Sequence, residues 1–156
     1  MPHIQLSSYQ LNLSDCWQIL FRLSIAMTTG GIIGWERQLR HKPAGLRTHM
    51  LVSLGSGLFA LIPLLISQTT SGFDADALSR VIQGITAGVG FLGAGEILRT
   101  ASDESQRIRV RGLTSAAAIW VSAALGVAAG CGLWQLSLIG AVLCFLVLYF
   151  VKRFEI

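Results

Sequence analysis

Charge is what this sequence has least of. Only 13% of its 156 residues are Asp, Glu, Lys or Arg, against about 25% in an ordinary soluble domain. The stretches 48–67 and 113–151 contain no charged residue at all. A chain so composed cannot dress a soluble surface, and its mean hydropathy of +0.62 fits burial in lipid. Cysteine is also scarce. Cys16, Cys131 and Cys144 form no CxxC pair, which leaves a zinc or redox motif without support and predicts small buried apolar side chains. No Gly-x-Ser-x-Gly, P-loop or metal-ligand spacing occurs, so no catalytic residues, no cofactor and no enzyme are expected. Asp74 and Asp76 lie close together, but two acids in a polar loop make no ligand cluster, and Mg²⁺ asks for octahedral oxygen ligation. The start of the chain shows neither a basic n-region nor a small-residue cleavage site, so the first apolar run is expected to stay as a helix.

What is present is a series of apolar runs about 20 residues long, each enough to cross about 30 Å of hydrocarbon. The expected fold is all-α, a polytopic bundle of five transmembrane helices at about 15–35, 48–67, 79–98, 113–130 and 133–151. A polar segment, 1–14, precedes it and a short tail, 152–156, follows. Ser14 is the expected N-cap of the first helix, and Pro63 is a candidate kink in the second. Ten of the twelve Lys and Arg fall in 36–47, 99–112 and the tail. The positive-inside rule places these in the cytoplasm, with the N-terminus outside and the C-terminus inside. Topology therefore accounts for the net charge of +4, and nucleic acid is not an expected partner.

Two hairpins look alike. Gly31 and Gly34 followed by Arg40 match Gly90 and Gly93 followed by Arg99 at one constant offset. After a longer second loop, Gly45-Leu46-Arg47-Thr48 matches Gly112-Leu113-Thr114-Ser115. Either this is a parallel repeat about an axis near the membrane normal, or common residue types coincide. A true repeat sets the two turns side by side.

Four constellations stand out. Gly30 and Gly34, Gly84 and Gly88, and Gly126 and Gly130 each repeat at four-residue spacing, and Gly90, Gly93 and Gly95 crowd the third helix. Such spacing lets helices approach closely, within the bundle or at a homo-oligomer interface. Arg22 and Glu96 are the ionisable residues well inside the spans. Arg22 is expected to snorkel outward or meet Asp15, and Glu96 to meet Arg99 or the arginines of 36–47. The third is a basic elbow of Glu36, Arg37, Arg40, Lys42, Arg47, His49, Arg99, Arg107, Arg109 and Arg111. It can attract anionic lipid, bind an anion or dock an acidic partner. The fourth lies within that elbow: an acid beside a base at a helix end, Glu36-Arg37, points to a specific ion pair.

Three runs occur in order: Gly30-Gly-Ile-Ile-Gly-Trp-Glu-Arg37 with Lys42-Pro-Ala-Gly-Leu-Arg-Thr-His49, then Gly84-Ile-Thr-Ala-Gly-Val-Gly-Phe-Leu-Gly-Ala-Gly95, then Val110-Arg-Gly-Leu-Thr-Ser-Ala-Ala-Ala-Ile-Trp-Val121. Together they resemble the MgtC/SapB family of bacterial inner-membrane proteins. The resemblance covers most of 17–150. It implies a five-helix domain linked to Mg²⁺ homeostasis or adaptation to low Mg²⁺, acting by modulation of another membrane protein such as an ATPase. The alternative is a small oligomeric transporter or channel for Mg²⁺ or another ion. The family-typical positions carried over are Glu36, Arg37, Pro43, Gly45, Leu46, Arg47, Thr48, Gly88, Gly90, Phe91, Gly93, Gly95, Arg111, Gly112, Leu113 and Thr114. Glu96 departs from the family, which has an apolar residue there. Longer members add a soluble domain resembling an ACT fold, and regulation through such a domain is not expected here. The expected partners are the lipid bilayer, a second copy of the chain, and a membrane-protein partner.

Overall fold

The computed structural model describes residues 12–67, 74–101 and 112–151, with backbone alone at 99–101 and 151. The N-terminal segment before residue 12, Arg107, Arg109, Arg111 and the tail 152–156 lie outside the described residues. Among those described, every regular element is helical: α1 (Leu13–Leu39), α2 (Leu46–Ser67), α3 (Ala75–Ala101), α4 (Leu113–Gly130) and α5 (Trp134–Leu146). The last continues as a π-helical turn, Val147–Val151. The first four are long and apolar enough to cross a membrane, and the fifth is a shorter apolar helix.

The ends of the helices differ from expectation for local reasons. α1 begins before Ser14, because the Asp15 carboxylate accepts the Asn12 backbone N–H at 3.2 Å, leaving Ser14 in the first turn. Its other end runs on through the charged residues to Leu39, since Glu36 and Arg40 pair one turn apart on one face. The helix then closes in a Schellman turn. His41 takes the left-handed conformation (φ 53°), its N–H donates to the Gln38 carbonyl, and the Lys42 N–H donates to that of Arg37. α4 ends the same way, with Gly132 at φ 83° and the N–H of Leu133 donating to the carbonyl of Ala128. α3 starts earlier than expected, at Ala75, because Asp74 accepts the N–H of Ala77 at 3.0 Å. That bond gives Asp74 a capping role. Pro63 sits inside α2 without ending it.

The bundle is built around α2, and glycine sets the distances. A Cβ on Gly30 would lie 2.5 Å from the His49 carbonyl oxygen, and one on Gly34 would lie 2.8 Å from the Leu46 Cα. On the other side of α2, a Cβ on Gly126 would land on the Ser53 carbonyl, and one on Gly130 would lie 2.5 Å from that of Gly57. α1, α2 and α4 therefore meet backbone to backbone. The hydroxyl of Ser53, fully buried, donates to the Ala26 carbonyl at 2.6 Å, joining α2 to α1. α5 lies along α1 and α4, where the Ser137 hydroxyl contacts Thr29 Oγ1 at 3.1 Å and the Leu125 carbonyl at 2.9 Å.

The third helix behaves differently. It leans on α4 and touches α2 only sparsely. A Cβ on Gly93 would meet that of Ala116 at 3.3 Å, whereas one on Gly84, Gly88, Gly90 or Gly95 would meet nothing within 4 Å. Within one chain these four glycines pack against no other helix. The Gly93–Ala116 contact also bears on the repeat. The motif alignment pairs Gly34 with Gly93 and His49 with Ala116, and a Cβ on Gly34 would meet His49 Cβ at 3.0 Å. This pair of positions makes the same contact in both hairpins, whereas a Cβ on Gly31 would lie 3.5 Å from Met50 and one on its counterpart Gly90 would meet nothing within 4 Å.

Replacement of Gly126 by Ala should cost about 1–3 kcal/mol, the usual penalty of overpacking, because the Ser53 carbonyl cannot yield without moving α2. Gly90→Ala should be neutral or gain up to about 1 kcal/mol from helix propensity. Thermal unfolding of the two variants in mild detergent checks the contrast.

Candidate functional site: the ion-paired elbow

At the α1–α2 elbow an acid and a base are shut away from solvent in an otherwise apolar bundle. Glu36 is 3% exposed and Arg37 2%. Arg37 Nε and Nη2 each lie 2.5 Å from Glu36 Oε2. Arg40 Nε takes the other carboxylate oxygen, Oε1, and its guanidinium stands 6.0 Å from the Tyr149 ring centroid, tying the elbow to the end of α5. One carboxylate thus serves two guanidinium groups, and a positive charge remains on the cluster.

His49 completes the arrangement from α2. It is fully buried, and its Nδ1 lies 2.8 Å from the Gly45 carbonyl. A carbonyl only accepts, so Nδ1 carries the proton and Nε2 is free of it in the neutral ring. Nε2 is buried without a hydrogen-bond partner among the described residues. The ring also lies within electrostatic reach of Arg37 and Glu36.

The turn itself is closed by Gln38. Its side-chain oxygen accepts the Leu46 N–H at 3.3 Å, and a Cβ on Gly45 would strike that same oxygen. A side chain at 45 would displace the end of Gln38 from the Leu46 N–H. Ala44 is buried with the Val89, Ile119 and Ala123 cluster, which seats the turn against α3 and α4. Pro43 and Arg47 are exposed and Thr48 is half-buried, so these three do not join the ion cluster.

The remaining candidates fall elsewhere. Gly112 precedes α4 in the left-handed conformation (φ 91°), and Thr114 is exposed. Glu96 is 8% exposed on α3, the helix that leans on α4. Arg99 belongs to α3, with its side chain outside the described residues, while Arg111 lies outside them altogether. Arg22 forms no ion pair with Asp15 among the described residues and reaches instead toward the end of α4. Its Nη1 donates to the Gly130 carbonyl at 3.2 Å, and a Cβ on Gly132 would lie 3.2 Å from its Cζ. The last carbonyls of α4 have no intrahelical partner and carry partial negative charge, so a guanidinium there is favourable. Cys131, in the same turn, stays a thiol: burial pushes it up, with Arg22 pulling the other way. Cys16 is exposed, contrary to the expected buried thiol, because it lies on the outward face of the first turn. Among the described residues, no three His, Cys, Asp or Glu gather as metal ligands.

Gln38, Ser53 and Tyr149 are parts of the site or its support that sequence reasoning passed over. A signal existed for one of them. His49, Ser53 and Gly57 recur every four residues, a polar-to-small stripe along α2 that marks its buried face.

Loss of one partner strands the other charge in the interior, at about 3–5 kcal/mol. Glu36→Leu strands Arg37 and should destabilise by that order, Arg37→Met should cost less because Arg40 still holds the carboxylate, and the double variant should cost less than Glu36→Leu alone. A double-mutant cycle on thermal or denaturant unfolding measures the coupling, and additive losses would refute it.

The sequence profile described as MgtC family matches residues 23–156. Protein SrpB of Synechococcus elongatus is 51% identical over 143 residues, covering 90% of this chain and 79% of its own. YhiD of Escherichia coli K12, named provisionally as a magnesium transporter, is 40% identical over 84% of this chain and 59% of its own. Protein MgtC of Brucella abortus is 44% identical over 71% of this chain, which spans only 42% of that relative. No solved structure matches the chain. With a family profile running from the middle of α1 to the last residue, and membrane helices beneath it, the chain belongs to the MgtC family and is a multi-pass protein of the bacterial inner membrane.

Proposed function

We propose that this protein serves bacterial Mg²⁺ homeostasis by acting on a partner membrane protein, such as an ATPase, and does not itself conduct the ion. The Mg²⁺ assignment rests on likeness. The family resemblance implies it, and the relative YhiD is named provisionally as a magnesium transporter. The regulatory assignment rests on one observation, the closed centre of the bundle. α2 and α4 touch backbone to backbone where Gly126 and Gly130 meet Ser53 and Gly57. The hydroxyls beside that contact are spent on carbonyls of the same chain, Ser53 on Ala26 and Ser122 on Ala118.

A conduit for Mg²⁺ would need oxygen ligands around a strongly hydrated ion. The cavity between α1, α2 and α5, lined by Met27, Ile32, Trp35 and Met50 among others, is apolar. The reading is non-enzymatic and needs no prosthetic group. Its working part is the elbow: the buried Glu36–Arg37 pair, with half-buried Arg40, holds the turn rigid, and exposed Lys42 and Arg47 present charge beside it. Under the positive-inside rule that face is cytoplasmic, where an acidic surface of a partner can reach it.

Two measurements test this. Protein reconstituted in liposomes with an internal Mg²⁺-sensitive dye should give no uptake above protein-free vesicles. Saturable uptake that disappears in Glu96→Gln would overturn the regulatory reading. In a deletion strain at low Mg²⁺, the native protein should restore growth and Arg37→Ala, expressed at equal level, should not. Normal growth of the deletion strain would remove the Mg²⁺ premise.

A further inference from the structure

The groove between α2 and α3 is where the fold of one chain stops short. It encloses about 560 Å³ and is apolar apart from Ser56, with Leu51, Gly55 and Phe59 among its walls on α2 and Gly84, Gly88 and Leu92 among those on α3. The motif alignment relates this groove to one that holds a helix. The alignment that carries α1 onto α3 and α2 onto α4 also carries the α1–α4 groove onto this one.

In the α1–α4 groove lies a helix, α5. Ser137 meets Thr29, Gly140 lies against Leu125, and Ala141 packs in one cluster with Ile33 and Ala118. The alignment puts Gly88 at the position of Thr29, Leu92 at that of Ile33 and Leu51 at that of Ala118. All three line the α2–α3 groove. One of two equivalent seats is taken, and the other is open.

We propose that the open seat receives α3 of a second copy of this chain, so that two copies pair about a two-fold axis along the membrane normal. The choice of α3 follows from its walls. A Cβ at Gly55, Gly84, Gly88 or Gly95 would meet nothing within 4 Å, so an incoming helix can approach to backbone distance. Phe91, 83% exposed on the same helix, is a large apolar knob with no seat in its own chain. The outward face of α5 carries Leu136, Ile139 and Leu143, which hold a neighbour at arm's length. Pairing of α3 with its own copy is self-complementary: each α3 both fills one groove and lines the other, and a two-fold contact closes without further growth. This pairing does not depend on the proposed role in Mg²⁺ homeostasis.

Disulfide trapping in native membranes tests it. In a chain with Cys16, Cys131 and Cys144 replaced by Ala, Gly84→Cys and Gly88→Cys should each form an oxidant-dependent dimer, while Gly90→Cys and Ile139→Cys should stay monomeric. No dimer from the α3 positions, equal trapping at Gly90 or Ile139, or adducts only to a different protein would each overturn the proposal. Gly88→Leu supplies a second reading, because a Cβ there meets nothing within 4 Å and the longer side chain extends into the open groove; an unchanged thermal unfolding midpoint in detergent shows that the single-chain fold is kept. Energy transfer between labelled copies in liposomes should fall at least tenfold in that variant. Unchanged transfer, or a monomer that retains only phospholipid in native mass spectrometry, would refute the pairing.

Discussion

The carbonyl of Ser53 occupies the place where a Cβ on Gly126 would have to go, and this exclusion sets how α2 lies on α4. Lipid tails are as apolar as leucine, so helices in a bilayer gain little from burying oily surface against one another. What holds them is close packing and interhelical hydrogen bonding. The approach at Gly126 and Gly130 on one side of α2, and at Gly30 and Gly34 on the other, is what brings the Ser53 hydroxyl within 2.6 Å of the Ala26 carbonyl. Larger residues at those positions would part the helices and leave such polar groups unpaired in an apolar medium, which is costly.

The ion pairs sit where that framework makes room for them. Glu36 and Arg37 are buried at one end of α1, and Arg22 lies toward the other, on the last carbonyl of α4. Each answers a different debt of charge. Arg22 takes the Gly130 carbonyl, while the closing turn of α4 takes those of Val127, Ala128 and Ala129. The elbow arginines neutralise a carboxylate that would otherwise be alone. His49 adds a buried ring nitrogen beside them, held in one tautomer by the Gly45 carbonyl. A turn built this way is stiff, since moving it would unpair several groups at once.

The two hairpins match in sequence at their turns, and α5 has no counterpart among the described residues. One groove is filled by α5 and its counterpart is not. The glycines of α3 have the same character as those of α1 and α4, yet within one chain most of them touch nothing. The difference lies in what each helix faces and not in the residues themselves.

Much of this was legible in the order of residues. Runs without charge, broken by basic turns, give helices and a membrane class because a bilayer leaves the backbone few other options. The bounds of α4 could be read as they stand, since Gly112 and the Cys131-Gly132 turn flank it with residues suited to left-handed geometry. An acid beside a base at a helix end was enough to suggest the Glu36–Arg37 pair. The ends of α1 and α3 were not legible, because side chains at Asp15 and Asp74 extend a helix that hydropathy alone would stop sooner. Nor could sequence say that Arg22 would find the end of α4 more than a hundred positions away, that Gln38 would cap α2, or which glycines would be close-packed. Spacing puts two glycines on one face. Only the tertiary arrangement decides whether that face meets a backbone, as at Gly126, or open space, as at Gly88, because the contact is made by a helix distant in the chain.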